Sequence, residues 1–233
     1  MPRNIHESFL EPSCPQAHDP PTICTMNPEQ FVERLGKARA SAILRTPSRE
    51  AAGPAMEAAV RGGFRIVEFT LTIPGALDRV EEFAARPDLI VGAGTVLKVE
   101  EARAAVKRGA RFLVSPVMDP EIIAEARALG VAALPGCHTP TEMFNAHRAG
   151  APLQKLFPAP GTGPAFLRAC LAPMPFLRVV PTNGIDGANA RDWLEAGAFA
   201  VGFTQALFDP AELVSGRFDR VEERARGLLA AMR

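Results

Sequence analysis

The chain has 233 residues, 47% of them hydrophobic, with 26 basic side chains balancing 26 acidic ones and only four histidines and four cysteines. That length suits a single large α/β domain, and balanced charge gives none of the basic stripe that nucleic acid requires. No apolar run approaches the ~18 residues of a membrane span and no basic-then-apolar segment opens the chain, so neither a membrane nor a nucleic-acid partner is expected and the expected compartment is the cytoplasm.

Residues 1–26 carry Pro2, Pro12, Pro15, Pro20 and Pro21 with little apolar periodicity. They read as a flexible tail that buries too little surface to offset its ordering entropy, and Met26 is an alternative start. A single domain is expected over 27–233. Asn27 is a good helix cap, Pro28 suits a first turn, and Phe31, Val32 and Leu35 fall on one face, which predicts a helix ahead of the first strand.

Apolar runs then recur at 42–44, 66–69, 89–91, 112–114, 131–134, 153–157, 177–180 and 199–201. Helix-like segments such as 48–61, 99–108, 120–129 and 188–196 lie between them, often closing on glycine, as at Gly62, Gly109, Gly130 and Gly197. Eight strands with helices between them predict a (β/α)8 TIM barrel carrying an extra N-terminal helix. An open dinucleotide-binding sheet would want a Gly-x-Gly-x-x-Gly turn after its first strand, and Leu44-Arg45-Thr46-Pro47 has none.

Side chains alternate along a strand, so Leu153, Lys155 and Phe157 share one face and the Lys155 ammonium is set among hydrocarbon. Burial disfavours the charged amine, and a neutral amine is the nucleophile that condenses with a ketone to a Schiff base. The competing reading is a lysine that snorkels to solvent. Glu68 shares parity with Ile66 and Thr70 and is expected inside the barrel, where a lone carboxylate is costly. Arg45 ends strand one, Thr95 follows strand three, Ser115-Pro116 follows strand four and Thr182-Asn183-Gly184 follows strand seven. Singly these have structural explanations: Arg45 as a surface cation, Thr95 as a helix cap, Gly92 and Gly94 as bend formers. Jointly, a lysine, a carboxylate and an arginine at one rim suit carbonyl chemistry on an anionic substrate. Cys14, Cys24, Cys137 and Cys170 form no Cys-x-x-Cys pair and the histidines no His-x-x-x-His pair. The adjacent Cys137-His138 supplies too few ligands for structural zinc, so no metal and no cofactor are expected.

The blocks Val67-Glu68-Phe69-Thr70-Leu71-Thr72, Val91-Gly92-Ala93-Gly94-Thr95-Val96, Val114-Ser115-Pro116, Pro135-Gly136 with Thr139-Pro140-Thr141-Glu142, Lys155-Leu156-Phe157-Pro158 and Val180-Pro181-Thr182-Asn183-Gly184 occur in this order. Together they closely resemble the aldolases for 2-keto-3-deoxy-6-phosphogluconate and 4-hydroxy-2-oxoglutarate, from about residue 27 to the C-terminus. The resemblance implies a homotrimeric barrel and a metal-independent class I cleavage of a small keto acid to pyruvate and an aldehyde. It makes Lys155 the Schiff-base lysine and Glu68 the carboxylate that moves protons, with Thr95, Pro116 and Phe157 around the pyruvate moiety.

Many members carry a carboxylate-binding arginine where this chain has Thr72. One branch has threonine there and an arginine at the end of strand one, which makes Arg45 the expected carboxylate grip, with Thr72 beside the substrate. The resemblance also implies that Thr182, Asn183 and Gly184 fall in the turn that meets the distal end of the substrate. Phosphate-using relatives have bare glycines there and a glycine and serine after strand eight, whereas this chain has Asn183 and then Phe203-Thr204-Gln205. That bulk is expected to reshape the site and weaken use of a 6-phosphate. Two other classes fit the same rim: a barrel isomerase or epimerase, which would not need the Lys155 amine, and a non-catalytic sugar-acid binding protein.

Overall fold

The computed structural model describes residues 26–232, and its first element follows from the capping signal at Asn27. The Asn27 side chain accepts from the backbone N–H of Gln30 (2.9 Å) and the Gln30 side chain accepts from that of Asn27 (3.0 Å), closing a capping box on α1 (Pro28–Ala38). The expected tail over 1–26 lies outside the described residues except at Met26, which packs beside the buried face of this helix.

The strands are β1 (Ala40–Leu44), β2 (Ile66–Thr70), β3 (Ile90–Gly94), β4 (Phe112–Val114), β5 (Ala132–Leu134), β6 (Gly136–Cys137), β7 (Gln154–Leu156), β8 (Val179–Pro181) and β9 (Val201–Phe203). Between them run α2 (Arg49–Arg61), α3 (Ala76–Ala84), α4 (Val99–Lys107), α5 (Pro120–Ala128), α6 (Pro140–Arg148), α7 (Pro164–Leu171) and α8 (Ala190–Glu195), and α9 (Pro210–Val214) and α10 (Phe218–Ala231) follow the last strand. All the pairings are parallel, in two arcs of order β5-β4-β3-β2-β1-β9 and β6-β7-β8.

Two seams close these arcs into a barrel. At one, the fifth barrel strand is split at Pro135, which has no N–H for a ladder: β5 pairs with β4 and β6 pairs with β7. At the other, a single parallel bridge, Thr182 to Gly202, joins β8 to β9. The chain therefore has the expected TIM-barrel architecture with a helix ahead of the first strand, and the count of nine arises because β6 is the second half of the split fifth strand.

Every strand is buried on both faces, as parallel sheets covered by helices are. Val67, Val91 and Leu113 face outward into the layer shared with the helices, while Ile66, Ile90 and Phe112 face the barrel axis. α1 lies across the N-terminal ends of the strands and plugs them: Phe31, Val32 and Leu35 join the inner cluster, with the Phe31 ring stacked on Phe112 at 4.5 Å. The floor is thus hydrocarbon and closed, which leaves the carboxyl ends as the place where polar groups collect. Among the described residues no helix is long and apolar enough to cross a membrane.

Candidate active site

Alternation along β7 turns Gln154 and Leu156 outward and Lys155 inward, where it is only 7% exposed. The outward Gln154 pins the strand, donating from Nε2 to Ala151 O (3.1 Å) and accepting from Arg178 N–H (3.0 Å). Lys155 does not snorkel. Its Nζ lies 4.9 Å from the centroid of the half-buried Phe157 ring, so the amine is held against an aromatic face.

Glu68, in the middle of β2, is 2% exposed, and its Oε1 has no hydrogen-bond partner. Burial pushes the Glu68 carboxyl above its ordinary value, opposed by the charges of Lys155 and Arg45. Burial pushes the Lys155 amine below its ordinary value, with Arg45 adding to the effect and Glu68 opposing it. An acid raised and an amine lowered approach each other in proton affinity, which is the condition for passing a proton between such groups at little cost.

Both groups line a cavity of about 10 Å³ inside the barrel together with Ser41, Ile43 and Thr182, and such a volume is about what one water occupies. Thr182 Oγ1 is the other buried polar side-chain atom without a partner, so the two unsatisfied oxygens among the described residues face one chamber.

Arg45 stands exposed at the end of β1 and donates from Nη2 to Thr95 Oγ1 (3.3 Å) across the intervening strand. Thr95 has φ 58°, a left-handed conformation that is costly for a β-branched residue and held only where surroundings enforce it. It is not the cap of α4: Glu101 Oε2 accepts from the N–H groups of Leu97 (2.8 Å) and Lys98 (3.2 Å) instead. Thr72 is exposed and shares a 2.9 Å hydrogen bond with Thr70, standing on the rim without a hydrogen bond to the central pair.

Pro116 is half-buried beside the split strand, its carbonyl so close to Gly136 that a Cβ there would lie 2.2 Å from the oxygen. Asn183 (φ 60°) and Gly184 (φ 108°) form an exposed left-handed turn. Ala159 N–H donates to Thr182 O (3.0 Å) and Asn183 O (3.1 Å), tying that turn to the loop after β7.

One position departs from the reading of the sequence. Phe203 does not narrow the mouth: it is buried in the outer layer, edge-on to Phe64 at 5.9 Å, because its parity on β9 turns it away from the axis. Ser41 lines the central chamber and was legible from its parity with Ile43 and Arg45, a signal left unused. His138 is bound to the Pro158 carbonyl through Nδ1 (3.1 Å), and since a carbonyl only accepts, Nδ1 carries the proton. Its neighbour Cys137 is buried with its thiol pushed up to about 12, and a protonated thiol is a poor metal ligand. Among the described residues no three His, Cys, Asp or Glu side chains gather as a metal site.

The family model described as "Aldolase: KDPG and KHG aldolase" matches residues 31–224. The chain belongs to the KDPG and KHG aldolase family. Within that aldolase family, it is 32% identical over 200 residues to the 2-dehydro-3-deoxy-6-phosphogalactonate aldolase of Escherichia coli strain K12, covering 82% of this chain and 93% of that one. It is 36% identical over 180 residues to the 2-dehydro-3-deoxy-phosphogluconate aldolase of Pseudomonas aeruginosa, covering 76% and 81% of the two chains. Among solved structures, the KDPG aldolase of Legionella pneumophila superposes with a TM-score of 0.75 at 25% identity, over 83% of this chain and 97% of that one, and its pyruvate was captured as a covalent carbinolamine. The chain is accordingly an aldolase, a carbon–carbon lyase.

Proposed function

We propose that this aldolase cleaves a 2-keto-4-hydroxy acid to pyruvate and an aldehyde, with Lys155 forming the Schiff base and Glu68 moving the protons. The observation that carries the reading is the burial of one amine and one carboxyl on facing walls of one chamber, each driven toward its neutral form.

The neutral Lys155 amine attacks the C2 ketone, and Glu68 supplies the proton with which the carbinolamine hydroxyl leaves as water. The resulting iminium ion is the electron sink. Glu68, directly or through a water in the chamber, takes the proton of the C4 hydroxyl, the C3–C4 bond breaks, and its electron pair becomes the enamine on Lys155. Protonation of the enamine at C3 and hydrolysis return pyruvate and the free amine. Arg45, held by Thr95, offers two parallel N–H donors to the substrate carboxylate, while Thr72, Pro116 and Phe157 bound the pyruvate end.

Thr182, Asn183 and Gly184 meet the distal end of the substrate in this reading. Asn183 places a side chain at the turn, which supports weaker dependence on a 6-phosphate than on an unphosphorylated acid such as 4-hydroxy-2-oxoglutarate. Turnover compared on the two substrates tests this, and a large preference for the phosphorylated acid overturns it. The same reading takes 27–233 as one catalytic domain, acting as a homotrimer in the cytoplasm. Exposed Leu97 and Val117 on the loops after β3 and β4 support an assembly, and the free thiols Cys137 and Cys170 support a reducing compartment.

Incubation with pyruvate and borohydride tests the central step. The expected product is a stable adduct located on Lys155 by peptide mass spectrometry. An unmodified protein, as an isomerase or a non-covalent binder would give, overturns it.

A further inference from the structure

β3 carries glycine at both of its inward positions after Ile90, namely Gly92 and Gly94, and neither has a positive φ that would demand glycine for its backbone. Both are there for space, and the space is used differently. A Cβ at Gly92 would lie 2.4 Å from Phe112 ring atoms, and that ring is wedged under Phe31. A Cβ at Gly94 would lie 1.8 Å from Glu68 Oε1, 2.7 Å from its Cδ and 3.0 Å from its Cγ.

Glu68 faces Gly92 in the register and Thr70 faces Gly94, so the Glu68 side chain leans along the strand to the next inward position and lies on the bare backbone there. The oxygen nearest that backbone is the one without a hydrogen-bond partner, so no donor fixes the carboxyl from that side. We propose that Gly94 is the positioning residue of Glu68: its missing side chain is the seat of the carboxyl group, and that seat aims the acid at the reacting centre beside Lys155. This rests on the reading of Glu68 as the proton-moving group.

Gly94 differs in its demand from the inward glycines Gly92 and Gly136. A methyl at Gly92 collides with a wedged ring, and one at Gly136 collides with the Pro116 backbone. At Gly94 it collides with the end of a flexible side chain, which rotates away at modest cost. Gly94→Ala is therefore expected to leave a folded barrel with a misplaced acid, and misplacement by about 1 Å is worth roughly 100-fold in rate.

The test is a double-mutant cycle of Gly94→Ala and Glu68→Ala on the full chain, read as kcat, its pH profile and thermal melting. Gly94→Ala alone is expected to lower kcat by about 100-fold or more and to move the limb of the pH profile that Glu68 sets. In the Glu68→Ala background the same change is expected to alter kcat by less than about threefold, because no carboxyl remains to displace. Wild-type kcat in Gly94→Ala, or losses that multiply in the double variant, overturns the proposal. If Gly94→Ala does not fold, melting of the double variant decides: recovery to the Glu68→Ala value supports the seat, and failure to fold overturns it. Wild-type turnover in Glu68→Ala alone instead removes the proton-transfer role itself, whatever Gly94 does.

Discussion

The two ends of the barrel solve opposite problems with the same strands. At the floor, Phe31, Leu35, Ile66 and Phe112 close the axis with hydrocarbon, and the small Ser41 is the polar side chain among them. Further along the barrel interior stand Glu68, Lys155 and Thr182, two of them with a buried oxygen lacking a partner. Left-handed Thr95 and Asn183 stand at the same end. Stability is concentrated where the strands begin and cost where they finish. One inward step along β2 replaces the aliphatic Ile66 by the buried carboxyl of Glu68.

Substitutions at the two ends should therefore separate folding from chemistry. The largest effect is expected from Lys155→Ala, which should abolish both turnover and borohydride trapping of pyruvate while melting at or above the wild-type temperature, since it removes a buried amine. Retained cleavage would break the contrast outright. Glu68→Gln should lower kcat by about 10²–10⁴-fold, the usual worth of a placed acid–base group, without loss of fold.

At the opposite end, Phe31→Ala should cost about 3–5 kcal/mol in denaturant unfolding while the protein that remains folded keeps nearly the wild-type kcat. A collapse of kcat in that variant would show that floor and mouth are not independent. Arg45→Gln sharpens the electrostatic side. The guanidinium lowers the Lys155 pKa, so removing it should raise that pKa and shift the rise of pyruvate trapping to higher pH, together with a higher KM for the keto acid. A limb that stays put, or moves to lower pH, would remove Arg45 from the account. The smallest change is Asn27→Ala, expected to lose about 1 kcal/mol through the capping box and nothing in rate.

Much of this was legible in the sequence because the signals were periodic. Parity along 66–70 and 153–157 put Glu68 and Lys155 inside, and the Asn27 cap with Phe31, Val32 and Leu35 on one face gave the first helix, though not its place as a plug. What stayed hidden depended on where neighbouring chains run. The split at Pro135 looks like an ordinary strand end until two different partners claim its halves. Phe203 seemed to crowd the mouth because its residue type was read without its parity on β9. Gly94 read as a bend former because a missing side chain carries no sign of whose atoms fill the gap.

The division at Pro135 has one last consequence. Lys155 belongs to the arc of three strands and Glu68 to the arc of six, and the arcs meet at the split strand and at a short seam made by the Thr182–Gly202 bridge and the Phe199 N–H to Val179 O bond (2.8 Å). The buried amine and the buried carboxyl are thus delivered by separate sheets, like the two jaws of a clasp. With Lys155 and Glu68 in the proposed roles, turnover reports whether the clasp is shut, and under gentle denaturation it should fade before the helical signal does.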